Sequence, residues 1–476
     1  MAFGVMGQTI TLLCLDGLSG RFSINRFSIF LIAGRWGLLA VKKLLPIILL
    51  GLLTACGSDG WFGKAGDPVL PGERKPILLN NNDITPDATI ADAPVIIPPA
   101  AANPSWPMAG GYADHVMQHL ALAKDPLKMI WQSDIGQGSS RDGFLLTQPV
   151  AVGGRVFTID VGSRVTAFDI KSGAEIWRVD LTPDAEDSNS IASGGLATDG
   201  VRVYAATGLA ELVALDPADG KIMWRQPVSS PLRSAPTLSD GKIFIVPVDN
   251  HLMALSASDG KLLWMHEGLN ESASLLGGAS PAVADGAVIA AFSTGDLIAF
   301  DVEKGRPLWT ENLARIRRGD LMGGLTSVQA LPVVHDHVVY AIGHSNRALA
   351  IDLQSGERIW DLPVGGTRTP WVTDNYLYTI DNDNRAIAVE LARGLVKWVT
   401  PIGNAADGKK LRFTAPVMAG GRLLFGDTAE KLWAISPQDG KVIGTYSLPG
   451  PVSVAPIVVD GTLLVLTDNG KLAAFQ

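Results

Sequence analysis

The chain has 476 residues, enough for two or three average domains or one large repeat protein. Hydrophobic residues make up 47% and charged residues 18%, so a large core is available, while a net charge of −8 argues against a general nucleic-acid binder. The 52 glycines suit an all-β chain rich in turns. The two cysteines, Cys14 and Cys56, both precede the repeats described below, which excludes a disulfide framework or a Cys-based metal site there.

Residues 1–40 fit no targeting scheme, because Arg21, Arg26 and Arg35 interrupt the apolar stretches. Translation is expected to begin near Val41. Lys42-Lys43 then supply a basic n-region, and Leu44 to Leu52 a short apolar h-region. The apolar run after Lys43 is about twelve residues, short of the roughly 20 that span a bilayer. Leu53-Thr54-Ala55-Cys56 resembles the bacterial lipobox, in which the cysteine is acylated and becomes the first residue. Gly57 rather than Asp after Cys56 implies, by the familiar sorting rule, export to the outer membrane. Residues 1–56 are thus read as a signal and lipobox region, and 57–126 as a flexible Pro/Ala-rich tether and lead-in. The tether runs to about Asn103, and Ala113 to Leu122 is read as irregular or helical.

From residue 127 the chain repeats itself. Ala167 to Trp177 reads as strand, tight turn and strand, and Ala214–Trp224, Ala254–Trp264, Ala299–Trp309, Ala350–Trp360 and Ala388–Trp398 repeat it. A seventh copy, Ala434 to Gly444, lacks its Trp. Glycine is wanted at the turn because the hairpin needs positive φ there. The Asp that usually ends the first strand can bond the turn's own backbone. Each Trp buries on the order of 150–250 Å² and can staple neighbouring units. Two shorter strands precede each hairpin, starting near Pro149, Leu196, Pro236, Pro281, Pro332, Pro370, Pro416 and Pro456. Eight starts face seven hairpins, and the last unit has only three strands before the chain stops at Gln476. A spare strand, Leu127 to Trp131, carries a Trp with no hairpin before it. Giving it to the eighth unit closes a ring and removes both sheet edges. The expected fold is all-β: an eight-bladed β-propeller of four-stranded antiparallel blades over 127–476. The WD40 alternative lacks its Gly-His and Trp-Asp signatures.

The pattern Ala-x-Asp-x-x-(Ser/Thr/Asp)-Gly-x-x-x-Trp resembles the repeat of the PQQ-like β-propeller family, which includes the pyrroloquinoline-quinone dehydrogenases. With a lipobox, a Pro-rich tether and a Cys-free propeller, the chain most resembles that family's outer-membrane β-barrel assembly lipoproteins. The resemblance implies a non-enzymatic scaffold with no cofactor, docking the periplasmic domains of the barrel subunit and lipid-anchored through Cys56 on the periplasmic face of the outer membrane. The alternative is a quinoprotein dehydrogenase, whose apparatus resembles a Ca²⁺ site, an Asp base and often a vicinal Cys pair. No Cys follows Cys56, and Asp169, Asp216 and Asp352 fall at repeat turns.

Other chemistry is sparse. His335-Asp336-His337 could pass for a metal pair, but it occupies the strand-turn position of Ser239-Asp240-Gly241 and is read as a surface turn. No phosphate-cradling loop or nucleophile elbow stands out. In an up-and-down blade the connection leaving the Trp strand and the second-to-third-strand loop share one side, so Asn270–Ala279 and Thr310–Ala330 share a face on adjacent blades. The resemblance implies that partner contacts come from these two connections. Leu275 keeps a family Leu, Leu276 replaces an Arg, and Ser327 and Gln329 stand where the family has acidic residues. The candidate partner-binding set is Leu275, Leu276, Ser327, Gln329, Arg317 and Arg318, with Arg315 beside them. The two leucines are either an exposed anchor or core tucked under a blade edge.

Overall fold

The computed structural model describes residues 9–15, 22–28, 84–123, 126–141, 143–183, 194–269, 275–314, 327–403 and 411–476. The chain divides into two units, Met1–Leu79 and Asn80–Gln476. In the first, strands Thr9–Leu15 and Phe22–Ser28 pair antiparallel, with Leu15 opposite Phe22.

The second unit is the propeller, and it has the eight four-stranded antiparallel blades expected. Blades 1 to 7 are continuous in sequence and span 150–180, 195–227, 237–267, 282–312, 333–362, 371–401 and 417–447. Blade 8 takes three strands from 457–475, and its outer strand is Met129–Asp134, paired along Lys471–Phe475. Lys128 and Gln476 exchange backbone hydrogen bonds of 2.7 and 3.0 Å, so the two ends of the propeller chain close the ring.

The repeat motif acquires a physical explanation from its register. In each of the six hairpins that end on Trp, the Ala pairs directly with it (Ala167 with Trp177, Ala299 with Trp309), and the register shifts one residue later. The smallest side chain thus lies opposite the largest. Each Trp then reaches the following blade. Trp131, Trp177, Trp264, Trp309, Trp360 and Trp398 donate their indole N–H, at 2.7–3.1 Å, to a carbonyl in the next blade's hairpin turn. The glycine of that same turn lies under the ring. A Cβ on Gly173, Gly220, Gly260, Gly305, Gly356, Gly394 or Gly440 would fall within 3 Å of the preceding blade's Trp or its close neighbours. Glycine is therefore required twice over, for its positive φ (65° at Gly305) and for the space the indole takes. The Asp of the turn also behaves as expected: Asp169 accepts from the Ser172 N–H at 2.8 Å and its hydroxyl at 2.7 Å. These bonds hold its carboxyl below the usual range. Gly444 replaces Trp in blade 7 because its neighbour, blade 8, draws its outer two strands from opposite ends of the chain. It has no hairpin turn there to receive an indole.

The described part of the lead-in corrects the flexible-tether expectation. Residues 101–121 run inside the central channel and bond to one inner strand after another. Each blade's innermost strand presents an unpaired edge to the channel, and buried N–H groups need partners. Asn103 O accepts from Asp460 N (blade 8), Trp106 exchanges two bonds with Ala151 (blade 1), and Pro107 O accepts from Thr198 N (blade 2). Ala113 O and Asp114 O accept from Val283 N and Val334 N (blades 4 and 5), and Leu120 bridges Met418 and Gly420 (blade 7). Blade 6 contributes the Trp371 indole N–H to Gln118 O at 2.8 Å. Against blade 3, Met108 packs in one apolar cluster with Leu238. Ala101 then pairs with His119 and Ala121, so the segment closes into a ring of its own. Further upstream, the buried Lys397 ammonium donates to the carbonyls of Ile90, Ala91 and Ala93 at 2.6–2.7 Å. The stretch reads as tether because it has no period; its backbone is ordered by partners far away in sequence. Residues 113–122 form no α-helix.

Candidate functional site

The plug of residues 101–121 closes the channel near the middle of the inner strands, and the channel opens as a funnel on the face where those strands begin. Described residues of the connections entering blade 1 and blades 3 to 8 form its rim, as blade topology requires. Its volume is about 610 Å³. Trp106 and His115 from the plug lie at its base, Trp106 being fully buried and stacked against Trp371 with ring centroids 6.4 Å apart.

Two of the expected contact residues meet on this rim. The Gln329 side-chain amide donates to the Leu276 carbonyl, which ties the connection between blades 3 and 4 to the one between blades 4 and 5. Both residues line the funnel. Leu276 is 39% exposed, while Leu275 is half-buried. Ser327 is only 4% exposed and lines a small recess beneath the rim with Arg233, so its side chain is held inside the loop. Arg315, Arg317, Arg318 and Cys56 lie outside the described residues.

His335-Asp336-His337 has the geometry of a turn. Asp336 and His337 have φ of 49° and 62°, matching Asp240-Gly241 at 47° and 72°. His337 Nδ1 lies 2.8 Å from an Asp285 carboxylate oxygen on the surface. Among the described residues no group of three or more His, Cys, Asp or Glu is placed to hold a metal ion.

The family model described as outer membrane protein assembly factor BamB matches residues 121–186, 161–400 and 405–476. The chain belongs to the BamB family. A BamB from Yersinia pestis is 30% identical over 351 residues, covering 73% of this chain and 88% of that protein. Among solved structures, BamB from Moraxella catarrhalis aligns with a TM-score of 0.64 at 19% identity, over 74% of this chain and all of the other. The quinohemoprotein alcohol dehydrogenase of Comamonas testosteroni aligns with a TM-score of 0.61 at 16% identity, over 79% of this chain and 81% of the enzyme. At those identities the two structures share the fold, whereas the BamB family match runs through the propeller sequence itself. The sequence reading found the rim loops but missed the funnel behind them and the plug that floors it. A readable signal existed for the funnel: Arg233, Arg368 and Arg412 each stand two to four residues before a proline that starts an inner strand.

Proposed function

We propose that the protein is a non-enzymatic scaffold lipoprotein of the outer-membrane β-barrel assembly complex. It is anchored through an acylated Cys56 on the periplasmic face of the outer membrane and docks the periplasmic domains of the barrel subunit. The observation that carries this reading is the BamB-family match along the whole propeller, with relatives named as outer membrane protein assembly factors. A rigid ring with adjacent rim loops tied together by Gln329 suits a platform. Leu276 is the exposed apolar centre of the contact, Leu275 supports it from below, and Gln329 fixes the geometry of the loop pair. Arg317 and Arg318, which follow on the same connection in sequence, add basic side chains to the contact.

Affinity purification from native membranes tests the role: an outer-membrane β-barrel assembly subunit should co-purify. The purified chain should neither bind pyrroloquinoline quinone with Ca²⁺ nor reduce a dye with alcohols. Dye reduction without partner capture would reverse the assignment. Mass spectrometry of the membrane fraction should find an acylated amino-terminal Cys56, and an unmodified Cys56 would remove the lipid anchor. For the contact, Leu276→Asp should lose the partner at a cost of about 2 kcal/mol or more with little change in thermal stability. A folded Leu276→Asp variant that still captures the partner at wild-type levels would exclude this face.

A further inference from the structure

The funnel has a chemistry of its own. In a chain of net charge −8, its lining among the described residues includes three arginines, Arg233, Arg368 and Arg412, and no carboxylate. None of the three is ion-paired among the described residues. Arg368 is oriented by a hydrogen bond from its Nε to the Phe413 carbonyl, leaving the terminal nitrogens of the fork available. The carboxylates that these guanidiniums feel, Asp381 and Asp468, lie outside the lining and are engaged elsewhere, on Arg385 and on the Ser453 hydroxyl at 2.7 and 2.8 Å. Seven of the eight inner strands begin at a proline, which has no N–H, so these entry positions supply no backbone donor.

The base adds two unsatisfied polar atoms. Trp106 Nε1 and His115 Nε2 are buried and have no hydrogen-bond partner among the described residues. His115 Nδ1 lies 2.7 Å from the Pro332 carbonyl and must donate to it, so Nε2 carries a lone pair. Burial lowers the imidazole pKa to about 4, which keeps that lone pair free at neutral pH. The base is closed by the buried Trp106 and His115, the walls offer Phe144, Leu145 and Trp371, and the rim offers guanidiniums.

We propose that the funnel is a binding site for an acidic, apolar segment of a partner polypeptide, its carboxylates on Arg233, Arg368 and Arg412 and its apolar side chains against the wall of Phe144, Leu145 and Trp371. Guanidinium forks match carboxylates. A polypeptide carries carboxylates and apolar side chains together, whereas inorganic phosphate has no apolar group to meet Phe144, Leu145 and Trp371. The volume falls within the usual range of roughly 300–1,000 Å³ for ligand sites. The inference stands on the funnel's residues and does not depend on the assembly role. Failure of partner capture from membranes would leave it untouched.

The test uses the full chain in detergent and a fluorescent hexapeptide carrying two Glu and one Phe, with a Lys-for-Glu peptide as control. The Glu peptide should bind in a salt-sensitive way and the Lys peptide at least tenfold more weakly. Arg233→Gln with Arg412→Gln, both at the accessible rim, should weaken the Glu peptide at least tenfold while leaving the melting temperature unchanged. Equal binding of both peptides, or indifference to the arginine substitutions in a folded variant, overturns the proposal. Displacement of the peptide by millimolar inorganic phosphate or by phosphatidylglycerol vesicles as readily as by unlabelled peptide also overturns it, in favour of a phosphate site.

Discussion

The outer hairpins and the channel plug hold the same ring together by opposite means. At the periphery one device is repeated: an indole from one blade seated on the turn glycine of the next. In the channel nothing repeats, and residues 101–121 make a different contact with each blade they pass. A peripheral staple joins two neighbours, so its loss is local. The plug touches nearly every blade, so its loss reaches the whole ring. The comparison teaches that cooperativity in this propeller has two sources, nearest-neighbour packing at the rim and a common hub at the axis.

The largest effect should follow from removing 127–134. Without Met129–Asp134, blade 8 has three strands and an open edge, and the shortened chain should aggregate. Light scattering during expression and purification checks this; a monomeric, cooperatively melting product would show that ring closure is dispensable. Next comes the hub. Trp106→Ala empties a fully buried site and should cost about 3–5 kcal/mol, more than Trp309→Ala at the half-exposed rim. Denaturant unfolding of the two variants compares hub and staple directly, and equal losses would erase the distinction.

A third comparison lies within the rim. Gly305→Ala must push its Cβ into the Trp264 ring as well as hold a positive φ, and should cost about 2–4 kcal/mol. Gly286→Ala, at the first hairpin of the same blade, meets nothing within 4 Å and should cost only about 1 kcal/mol. Acid provides a fourth. The pKa of His115 is lowered by burial to about 4 from 6.5, so the unfolded chain binds the proton first as pH falls. Stability from this group is present above about pH 6.5 and is lost between there and pH 4, by roughly 2 kcal/mol at pH 5. Melting temperature against pH should show that slope and His115→Gln should flatten it; a parallel slope in the variant would assign it to other groups. The smallest effect is at the turn where His337 holds a φ of 62° in place of the usual glycine. His337→Gly should raise stability by about 0.5 kcal/mol, read from the denaturant midpoint.

What the sequence determined by itself is the part of the molecule built from local rules. Alternation, turn glycines and the Ala–Trp spacing are read within eleven residues, so the hairpins, the blade count and the spare Leu127–Trp131 strand were all legible. So was the face carrying Leu276 and Gln329, since strand order alone sends those connections to one side. Tertiary structure alone decided the rest. Residues 84–121 have no period, and they find partners some 45 to 355 residues away, such as the Ala151 backbone for that of Trp106 and the Val458 carbonyl for the Asn103 side-chain amide. No local pattern encodes such pairings, and a Pro-rich stretch without periodicity looks the same whether it is solvated or threaded through a channel. The funnel belongs to the same class. Arg233, Arg368 and Arg412 share a place shortly before an inner-strand proline, but only closure of the ring brings three blades' arginines around one cavity, because curvature summed over eight units is a property of no single repeat.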